Sequence, residues 1–394
     1  MKLRFDRNKL LIGTYCLAEY ARSEAHVQAL REAGIDFLCG VPASDRALMD
    51  KCEKYGIGVF ANGVLPGWWG GHGEKAGGFK EAVPVEAYRA AREKYMDHPA
   101  IWALDTGDEP SALEFPHYGR LFEEAKQLFP ELMPYLNLYP NYGVLATCTE
   151  EQVKRQLGTE TYAEHIDRFI EHVNCDYVCY DYYMYSASAE GAYENLRVVS
   201  DRCRASGRDM WIVLQVNSSR AEEWISLNQL RHQAYTALSF GARSINWACW
   251  TAGWWHNLVL DKEGQPTRQY DRMCKVNREL HAMGERYMKY RNQATQRVKP
   301  DKKMTDRGLF EEVSVDGGRS AFVGFMEKDS GSGQAVMIAD CESEKAYHVK
   351  VVLREGTKMI SALLNGVPVS AVRTGEREYL LRMEESSGLL IEVE

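Results

Sequence analysis

Residues 23–41, SEAHVQALREAGIDFLCGV, join a helical pattern to a strand pattern through a single glycine. Up to Ala33 the apolar residues recur three or four positions apart, which is the spacing of one helix face. Gly34 stands where the end of a helix favours left-handed backbone, and an apolar run begins directly after it. The stretch therefore predicts a helix that passes into a strand, the repeating unit of an α/β fold.

The same alternation continues to about residue 298. Several of the apolar runs are apolar on consecutive positions, as in strands that are covered on both faces of a parallel sheet. Eight such runs, with amphipathic stretches between them, predict a (β/α)8 barrel rather than an open doubly wound sheet. Neither GxGxxG nor GxxxxGK[ST] follows any of the runs, which also disfavours a nucleotide-binding sheet. The runs are 10–16, 35–41, 57–64, 100–105, 133–139, 177–183, 210–216 and 244–250.

The pattern changes from about residue 304. Short segments that alternate apolar and polar residues are separated by turns such as DGG, SGSG and NG. This texture predicts an antiparallel β-sandwich. The expected domains are a catalytic (β/α)8 barrel over 1–298 and a C-terminal sandwich over 304–394, with 291–305 as the connection.

Composition narrows the function classes. The chain has 394 residues and a formal net charge of −8, and its basic residues are scattered, so a nucleic-acid partner is not expected. No run of about 18 apolar residues suggests a membrane span. The ten cysteines lack a CxxC pair and the ten histidines lack an HxH or HExxH motif, which favours reduced thiols and no metal or other cofactor. With no visible signal peptide, a soluble cytoplasmic protein is expected, and the sandwich edges would allow a homo-oligomer.

In such barrels the active site lies at the C-terminal ends of the strands. LDTGDEPS (104–111) ends the fourth strand with three carboxylates. We expect Glu109 to be a general acid whose pKa is raised by an apolar, tryptophan-lined mouth, with Asp108 as its modulator or a substrate ligand. Asp105 reads mainly as the polar end of the strand. The alternative for Glu109 is a residue of a turn or helix start before Pro110.

Asp181, at the end of the sixth strand, is the expected second carboxylate, unless it only accepts tyrosine hydroxyls in a polar network. Six of the nine tryptophans cluster in GWWGG (67–71) and NWACWTAGWW (246–255), and flat aromatic faces suit pyranose rings. A carbohydrate substrate is therefore expected. Besides Asp108, the expected substrate-binding residues at the strand ends are Tyr15, Glu19, Asn62, Trp68, Asn137, Tyr139, Tyr183, Gln215, Trp247, Trp250 and Trp254.

Four stretches resemble the loosely classified barrel glycoside hydrolases related to clan A, the group that includes the family 42 β-galactosidases. This resemblance implies that the glutamate of strand 4, here Glu109, is the acid/base. It also implies a nucleophilic glutamate at the end of strand 7, where this sequence has Gln215. Asp181 is then the expected nucleophile, or the base that activates an inverting water. The stretches are HPAIWALDTGDEPS (98–111), CDYVCYDYYMY (175–185), DMWIVLQ (209–215) and YTALSFGARSINWACW (235–250).

The expected function is a glycoside hydrolase that cleaves an oligosaccharide or glycoside with two carboxylates. The adjacent pair Asp108 and Glu109 also resembles the acidic pair of substrate-assisted hexosaminidases, which implies a mechanism without an enzyme nucleophile. A third hypothesis is a non-catalytic carbohydrate-binding barrel that lacks the strand-7 nucleophile. A lyase or an isomerase on the same fold stays open.

Overall fold

A computed structural model describes residues 3–71, 73–142, 150–251, 255–341 and 346–394. Eight parallel strands form one sheet in the order β5-β4-β3-β2-β1-β8-β7-β6. The predicted eight-stranded parallel barrel is thereby confirmed. The strands are β1 Leu11–Tyr15, β2 Phe37–Pro42, β3 Gly58–Asn62, β4 Ile101–Asp108, β5 Met133–Asn137, β6 Tyr177–Tyr182, β7 Asp209–Gln215 and β8 Ala242–Ala248.

The sheet closes on itself through its first and last strands and through β5 and β6. Strand β1 pairs with β2 on one side and with β8 on the other, where Thr14 lies opposite Trp247. Just past β5, Leu138 forms a parallel bridge with Tyr180 of β6, and its amide donates to the Cys179 carbonyl at 2.9 Å. Closure brings the carboxyl ends of all eight strands to one rim.

Aromatic rings fill the barrel interior. Phe37 of β2 stacks on Phe60 of β3 with ring centroids 4.4 Å apart, and Phe60 lies 6.3 Å from Trp211 of β7. Because β3 and β7 are not neighbours in the sheet, this contact crosses the interior. Gly13 on β1 makes room for the stack, since a Cβ there would lie 2.2 Å from the Phe37 ring. The interior is therefore a packed core, as in other barrels of this kind.

Helices follow the strands and begin at side chains that cap them. Thr161 and Ser226 each form a capping box, with Glu164 and Gln229 respectively. Such boxes satisfy amide groups that the first helical turn leaves free. The helices are α1 Glu24–Glu32, α2 Arg46–Lys54, α3 Phe79–Ala82, α4 Val85–Lys94, α5 Phe115–Leu128, α6 Glu150–Leu157, α7 Tyr162–His172, α8 Ala189–Ser206, α9 Leu227–Ser239 and α10 Arg268–Tyr287. Among the helices of the described ranges, none combines the length and the apolar character that a membrane span requires.

The C-terminal part forms two antiparallel sheets, in the orders β10-β11-β14-β18-β17 and β16-β15-β19-β13-β12-β9. Buried aliphatic and aromatic side chains of both sheets, such as Val313 and Val336, make one core. This confirms the predicted antiparallel architecture. The strands are β9 Tyr290–Val298, β10 Met304–Arg307, β11 Phe310–Val315, β12 Ala321–Lys328, β13 Gln334–Asp340, β14 Tyr347–Leu353, β15 Met359–Leu364, β16 Val367–Pro368, β17 Val372–Arg373, β18 Glu378–Met383 and β19 Gly388–Val393.

Residues 291–305 are more than the connection that the sequence suggests. Most of them lie in β9, which pairs antiparallel with β12. The strand is polar, yet Asn292 is buried and its amide donates to the Ser239 carbonyl of α9 at 3.1 Å. A buried amide bonded in this way takes the place of an apolar residue in the strand.

The chain forms two compact units. One consists of Met1–Arg7, Leu11–Glu223 and Ser244–Gln269, and the other of Asn8–Leu10, Trp224–Arg243 and Tyr270–Glu394. Helix α9 and most of α10 therefore group with the antiparallel sheets. Compactness alone does not define a domain, so the domain bounds 1–298 and 304–394 stay a prediction.

Candidate active site

Strand β4 carries three carboxylates to the rim of the barrel. Asp105 and Asp108 are among the last four residues of the strand, and Glu109 directly follows it. Gly107 has a φ of 144°, and a Cβ there would lie 2.4 Å from the Tyr118 hydroxyl. Glu109 itself has a φ of 42°, which is unusual for a residue with a side chain. Strained backbone of this kind occurs at functional sites, where the surrounding structure holds it in place.

Backbone hydrogen bonds fix this strand end to both neighbouring strands. The Asp108 amide donates to the Trp68 carbonyl at 3.2 Å, which ties it to the loop after β3. The Glu109 amide donates to the Asn137 carbonyl at 2.9 Å, which ties it to the end of β5. The backbone that carries Glu109 is therefore fixed by β4, by the end of β5 and by the loop after β3.

One amide group lies between two of the carboxylates. Asn137 donates from Nδ2 to Asp108 Oδ1 at 3.1 Å and to Asp181 Oδ1 at 2.8 Å. The carboxyl groups of Glu109 and Asp181 also share a hydrogen bond. The structure thus brings together four residues that the sequence predicts for the site, from the ends of β4, β5 and β6.

The pKa of Glu109 is raised well above its usual range. The main cause is burial, followed by the negative charges of Asp181 and Asp108 and by the hydrogen bond to Asp181. The pKa of Asp181 is raised to about 7, first by burial and then by the charge of Asp108, while hydrogen bonds from Asn137 and Glu109 act in the opposite direction. Glu109 is therefore the carboxyl group of this pair that is favoured to hold a proton.

The two aspartates of β4 have raised pKa values for the same main reason. Burial raises the pKa of Asp105 to about 7, although its carboxylate accepts a hydrogen bond from the Gly107 amide at 3.0 Å. The surrounding protein also raises the pKa of Asp108 by burial, although part of its surface is open to a cleft, and the hydrogen bond from Asn137 opposes the shift. A group of acids with raised pKa values in one place is a common property of catalytic sites.

The acids differ in their access to solvent. Asp181 is 4% exposed, Glu109 is half-buried and Asp108 is exposed. Asp108 borders a cleft of about 640 Å³. The other residues that line this cleft are Asn62, Gly63, Val64, Leu65, Pro66, Gly67, Trp68, Trp69, Asp105 and Gly107. Asp108, Asn62 and Trp68, all predicted for substrate binding, therefore meet at one cleft, and the ring of Trp69 is 51% exposed beside them.

The contact between Glu109 and Asp181 bears on the predicted mechanism. Retaining glycosidases place their two carboxyl groups about 5–5.5 Å apart, and inverting enzymes place them farther apart. Carboxyl groups that interact directly leave no room between them for the water of an inverting enzyme. In this structure Asp181 supports Glu109 from the protein side, and its role as nucleophile or base stays a prediction.

Behind the acids, two residues that the sequence did not suggest, Tyr135 and Cys179, connect the predicted residues Tyr15 and Asn137. The Tyr15 and Tyr135 hydroxyls are 2.5 Å apart, and the Tyr135 hydroxyl lies 3.4 Å from Cys179 Sγ. The Cys179 thiol lies 3.6 Å from Asn137 Oδ1. Tyr135 and Asn137 are two positions apart on β5 and so share a face of the strand. That alternation is the signal that could have placed Tyr135 in the site.

Gln215, at the end of β7, makes hydrogen bonds with the protein through both ends of its amide. Its Oε1 accepts from the Tyr185 amide at 2.9 Å. Its Nε2 donates to Ser186 Oγ and to the Asn217 carbonyl, both at 2.9 Å. The side chain is 1% exposed. Gln215 therefore orders the loops after β6 and β7, and its predicted contact with a sugar hydroxyl stays a prediction.

The predicted aromatic walls divide into two groups. Trp247 and Trp250 have no exposed surface, so the structure places their rings in the core instead of on an open wall. Trp68 and Trp69 retain exposed surface at the cleft. Trp255 contacts Tyr183 edge to face with centroids 5.1 Å apart. Trp254 lies outside the described residues.

Three further expectations have different outcomes in space. Tyr139 is buried next to the cluster, where burial and the charge of Glu109 raise its pKa. Burial is the main cause that raises the pKa of Tyr183, and the charge of the nearby Asp181 is the second. Tyr142, which the sequence did not suggest, accepts a hydrogen bond from the Tyr183 amide at 2.9 Å. Glu19 is exposed in the loop after β1 and does not join the acid cluster.

One group of side chains in the described ranges has the spacing of metal ligands: Asp50, Glu53 and His98. His98 Nδ1 accepts from the Ala100 amide at 3.2 Å, so a neutral ring carries its proton on Nε2. That nitrogen lies 3.0 Å from Asp50 Oδ1. The geometry fits a histidine that donates a hydrogen bond from Nε2 to Asp50. An Nε2 that carries this proton is not free to bind a metal ion.

No family model matches the chain, and no curated protein matches its sequence. Solved structures do resemble it. One described as a glycoside hydrolase matches 98% of this chain and 92% of its own length, with a TM-score of 0.56 and 10% identity. A family 5 mannosidase from Rhizomucor miehei matches 71% of this chain and 95% of its own, with a TM-score of 0.46 and 11% identity. An endoglucanase from Pseudomonas stutzeri matches 67% and 93%, with a TM-score of 0.40 and 13% identity.

At such identities the likeness shows the fold, a (β/α)8 barrel shared with glycoside hydrolases. The match with the highest of these TM-scores spans nearly the whole chain, antiparallel sheets included. The narrower resemblance to the family 42 β-galactosidases stays a prediction.

Proposed function

We propose that the protein is a glycoside hydrolase with a carbohydrate substrate and that Glu109 is its general acid. The observation that carries the proposal is the strained Glu109 at the barrel rim, whose pKa is raised by burial and by the charges of Asp181 and Asp108, and which directly follows Asp108 at an open cleft. A glycosidic oxygen leaves readily only when an acid protonates it, and such an acid must hold its proton near neutral pH. The glycoside hydrolase that matches the whole fold is in line with this class.

The surroundings of Glu109 explain how it would return to its starting state. When Glu109 gives its proton to the leaving oxygen, two negative carboxylates face each other in a buried contact. This repulsion, which already raises the pKa of Glu109, drives the uptake of a new proton. Asp181 is then a positioning residue, because it acts through Glu109.

The second chemical role falls to Asp108. Among Asp108, Glu109 and Asp181, Asp108 is the acid that is exposed at the cleft. Its access to the cleft supports a role either in activating a water molecule or in orienting a 2-acetamido group that attacks the anomeric carbon. The second role is the hexosaminidase-like mechanism, and the contact between Glu109 and Asp181 favours it over a nucleophilic Asp181.

A non-catalytic carbohydrate-binding barrel is the competing function. The observation that favours it is Gln215, whose amide takes the strand-7 position and is tied to three protein groups. In that case the tryptophans and amides at the cleft would bind a sugar that is never cleaved. A cytoplasmic location and a homo-oligomer remain predictions under both functions.

A panel of natural oligosaccharides and aryl glycosides, with 2-hydroxyl and 2-acetamido sugars in both anomers, tests the proposal. Hydrolysis by the wild type and its loss in Glu109→Gln would support the proposed activity. Cleavage restricted to 2-acetamido sugars with retention, read from the product anomer by NMR, would select the substrate-assisted route. Binding without cleavage of any member would overturn the hydrolase proposal in favour of the binding function.

A further inference from the structure

Two cysteines come together at the same rim of the barrel, and neither is used by the proposed chemistry. Cys16 directly follows β1, and Cys249 directly follows β8. Strands β1 and β8 pair in parallel with Leu11 opposite Ser244 and Thr14 opposite Trp247. Cys16 and Cys249 are therefore the first residues after two neighbouring strands.

Backbone hydrogen bonds continue the pairing past the ends of the strands. The Trp250 amide donates to the Tyr15 carbonyl at 2.9 Å, and the Thr251 amide donates to the Cys16 carbonyl at 2.9 Å. The Thr251 hydroxyl also donates to the Cys16 carbonyl at 2.9 Å. The Cys249 amide donates to Asn217 Oδ1 at 2.6 Å, which holds its backbone from the other side.

The two thiols act on each other's pKa. The Cys249 thiol, as a donor toward the Cys16 sulfur, lowers the pKa of Cys16, and the pKa of Cys249 is raised. Neighbouring strands are separated by about 5 Å, and disulfides span Cα distances of about 4.4–6.8 Å. A bond between these two sulfur atoms therefore needs no large movement of the backbone.

We propose that Cys16 and Cys249 are an oxidisable dithiol that a peroxide converts to a disulfide. The thiolate of Cys16, which is half-buried, attacks one oxygen of hydrogen peroxide, and a sulfenic acid and water result once the leaving hydroxide takes a proton. The thiol of Cys249, which is 2% exposed, then attacks the sulfenic sulfur and releases a second water. The sum is two thiols and one peroxide to one disulfide and two waters.

The environments of the two thiols fit the order in which Cys16 reacts with the peroxide first and Cys249 then forms the disulfide. The hydrogen bond from Cys249 lowers the pKa of Cys16, although burial and the charge of Asp108 oppose the effect. The same hydrogen bond and burial raise the pKa of Cys249. A thiol with a lowered pKa and partial access is the one that reacts first. The charge of Asp108 acts on Cys16, so the modification lies beside the candidate active site.

Peptide mapping of the intact protein tests the proposal without any assumption about catalysis. The folded protein is exposed to hydrogen peroxide, quenched with catalase, alkylated in denaturant, digested without reductant and analysed by mass spectrometry. We expect a reductant-sensitive peptide pair that contains Cys16 and Cys249, with the loss of two hydrogen atoms. We also expect Cys16 to lose its free thiol at least about tenfold faster than Cys274, a half-buried thiol on α10.

Variants separate the two roles. In Cys249→Ser the linked pair should disappear, and Cys16 should accumulate as a sulfenic acid that dimedone traps. Cys16→Ser should also abolish the linked pair, whereas Cys274→Ser should leave its yield unchanged. The proposal is overturned if wild-type Cys16 reacts no faster than Cys274, if it proceeds to sulfinic acid without a link, or if it links to another cysteine such as Cys39.

Discussion

The rim of the barrel has two sides that use polar residues differently. At the ends of β4, β5 and β6, three carboxyl groups have raised pKa values, and Asn137 donates hydrogen bonds to two of them, Asp108 and Asp181. At the ends of β7 and β8, the side-chain amide of Gln215 makes hydrogen bonds with the protein through both its oxygen and its nitrogen, and Trp247 and Trp250 are buried. The raised pKa values favour protonated acids at the ends of β4 to β6, which suits proton transfer. The hydrogen bonds at the ends of β7 and β8 hold the loops in place.

The difference follows from what each group loses by burial. A buried neutral amide needs hydrogen-bond partners and is stable once it has them. A buried carboxylate remains unfavourable even when bonded, so its pKa rises and it keeps a proton. Function is therefore expected on the carboxylate side, and mutations on the amide side should act on stability.

The largest effect should come from Glu109→Gln. The amide cannot protonate a leaving oxygen, so we expect kcat/KM to fall by about 10²- to 10⁴-fold on glycosides with poor leaving groups. The loss should be much smaller on activated aryl glycosides, which need little protonation. Steady-state kinetics across a leaving-group series measure this, with the exposed Glu86→Gln on α4 as a control for the same chemical change. Equal losses on all leaving groups would remove Glu109 from the acid role.

Asp181→Asn should have the next largest effect and should separate positioning from nucleophilic catalysis. Removing the charge of Asp181 lowers the pKa of Glu109, because that charge is among the causes that raise it. The alkaline limb of the kcat/KM profile, which reports loss of the Glu109 proton, should therefore move to lower pH. We expect a loss of about 10- to 100-fold at neutral pH, since the proton donor itself remains.

A matched control for Asp181→Asn lies at the opposite end of the barrel. Asp209 at the start of β7 is equally buried, at 4% exposure, and pairs with Arg7 at 2.7 Å. Asp209→Asn should lower stability without moving the pH profile. A total loss of activity in Asp181→Asn that added azide restores would instead identify Asp181 as the nucleophile.

The sequence was sufficient to predict the strands and the position of the β4 carboxylates at the rim. Apolar runs mark buried strands directly, and a barrel sends the residue after each strand to the same rim. It was not sufficient to tell which rim residues would face the cleft. Trp68 and Trp250 both follow strands in tryptophan-rich loops, and one lines the cleft while the other is buried.

Contacts between strands are the part that the sequence pattern does not contain. Asn137 bridges Asp108 and Asp181 only because β5 lies next to β4 on one side and meets β6 on the other. Strand β9 was assigned to a connection because it is polar. Its buried Asn292 replaces apolar packing with a hydrogen bond to α9, and that partner is 53 residues away in the chain.

Gln215→Glu tests the amide side of the rim. The change restores the residue type that the resemblance to clan A implies, yet it removes two donated hydrogen bonds and places a carboxylate against the Asn217 carbonyl. We expect a loss of stability of about 2–4 kcal/mol and no gain in activity. Urea unfolding at neutral pH measures it, with the exposed Gln293→Glu as a control. A stable variant with higher activity would show that this side of the rim is also catalytic.

Asp105→Asn should have the smallest effect and concerns stability alone. The pKa of Asp105 is about 7 in the folded protein and 3.8 in its ordinary state, so between about pH 4 and pH 7 the folded protein binds more protons than the unfolded chain. By linkage, this residue makes the wild type less stable as pH rises through that window. Asparagine has no such dependence and keeps an oxygen that accepts from the Gly107 amide.

The difference between Asp105→Asn and the wild type should therefore grow with pH. We expect the variant to be more stable by on the order of 1 kcal/mol at pH 8, and by much less at pH 4, in thermal unfolding. The exposed Asp301→Asn should follow the wild type at both pH values. If Asp105→Asn is equally stabilising at pH 4 and pH 8, burial does not control the proton of Asp105. The carboxylates of β4 would then be no different from the amides on the other side of the rim.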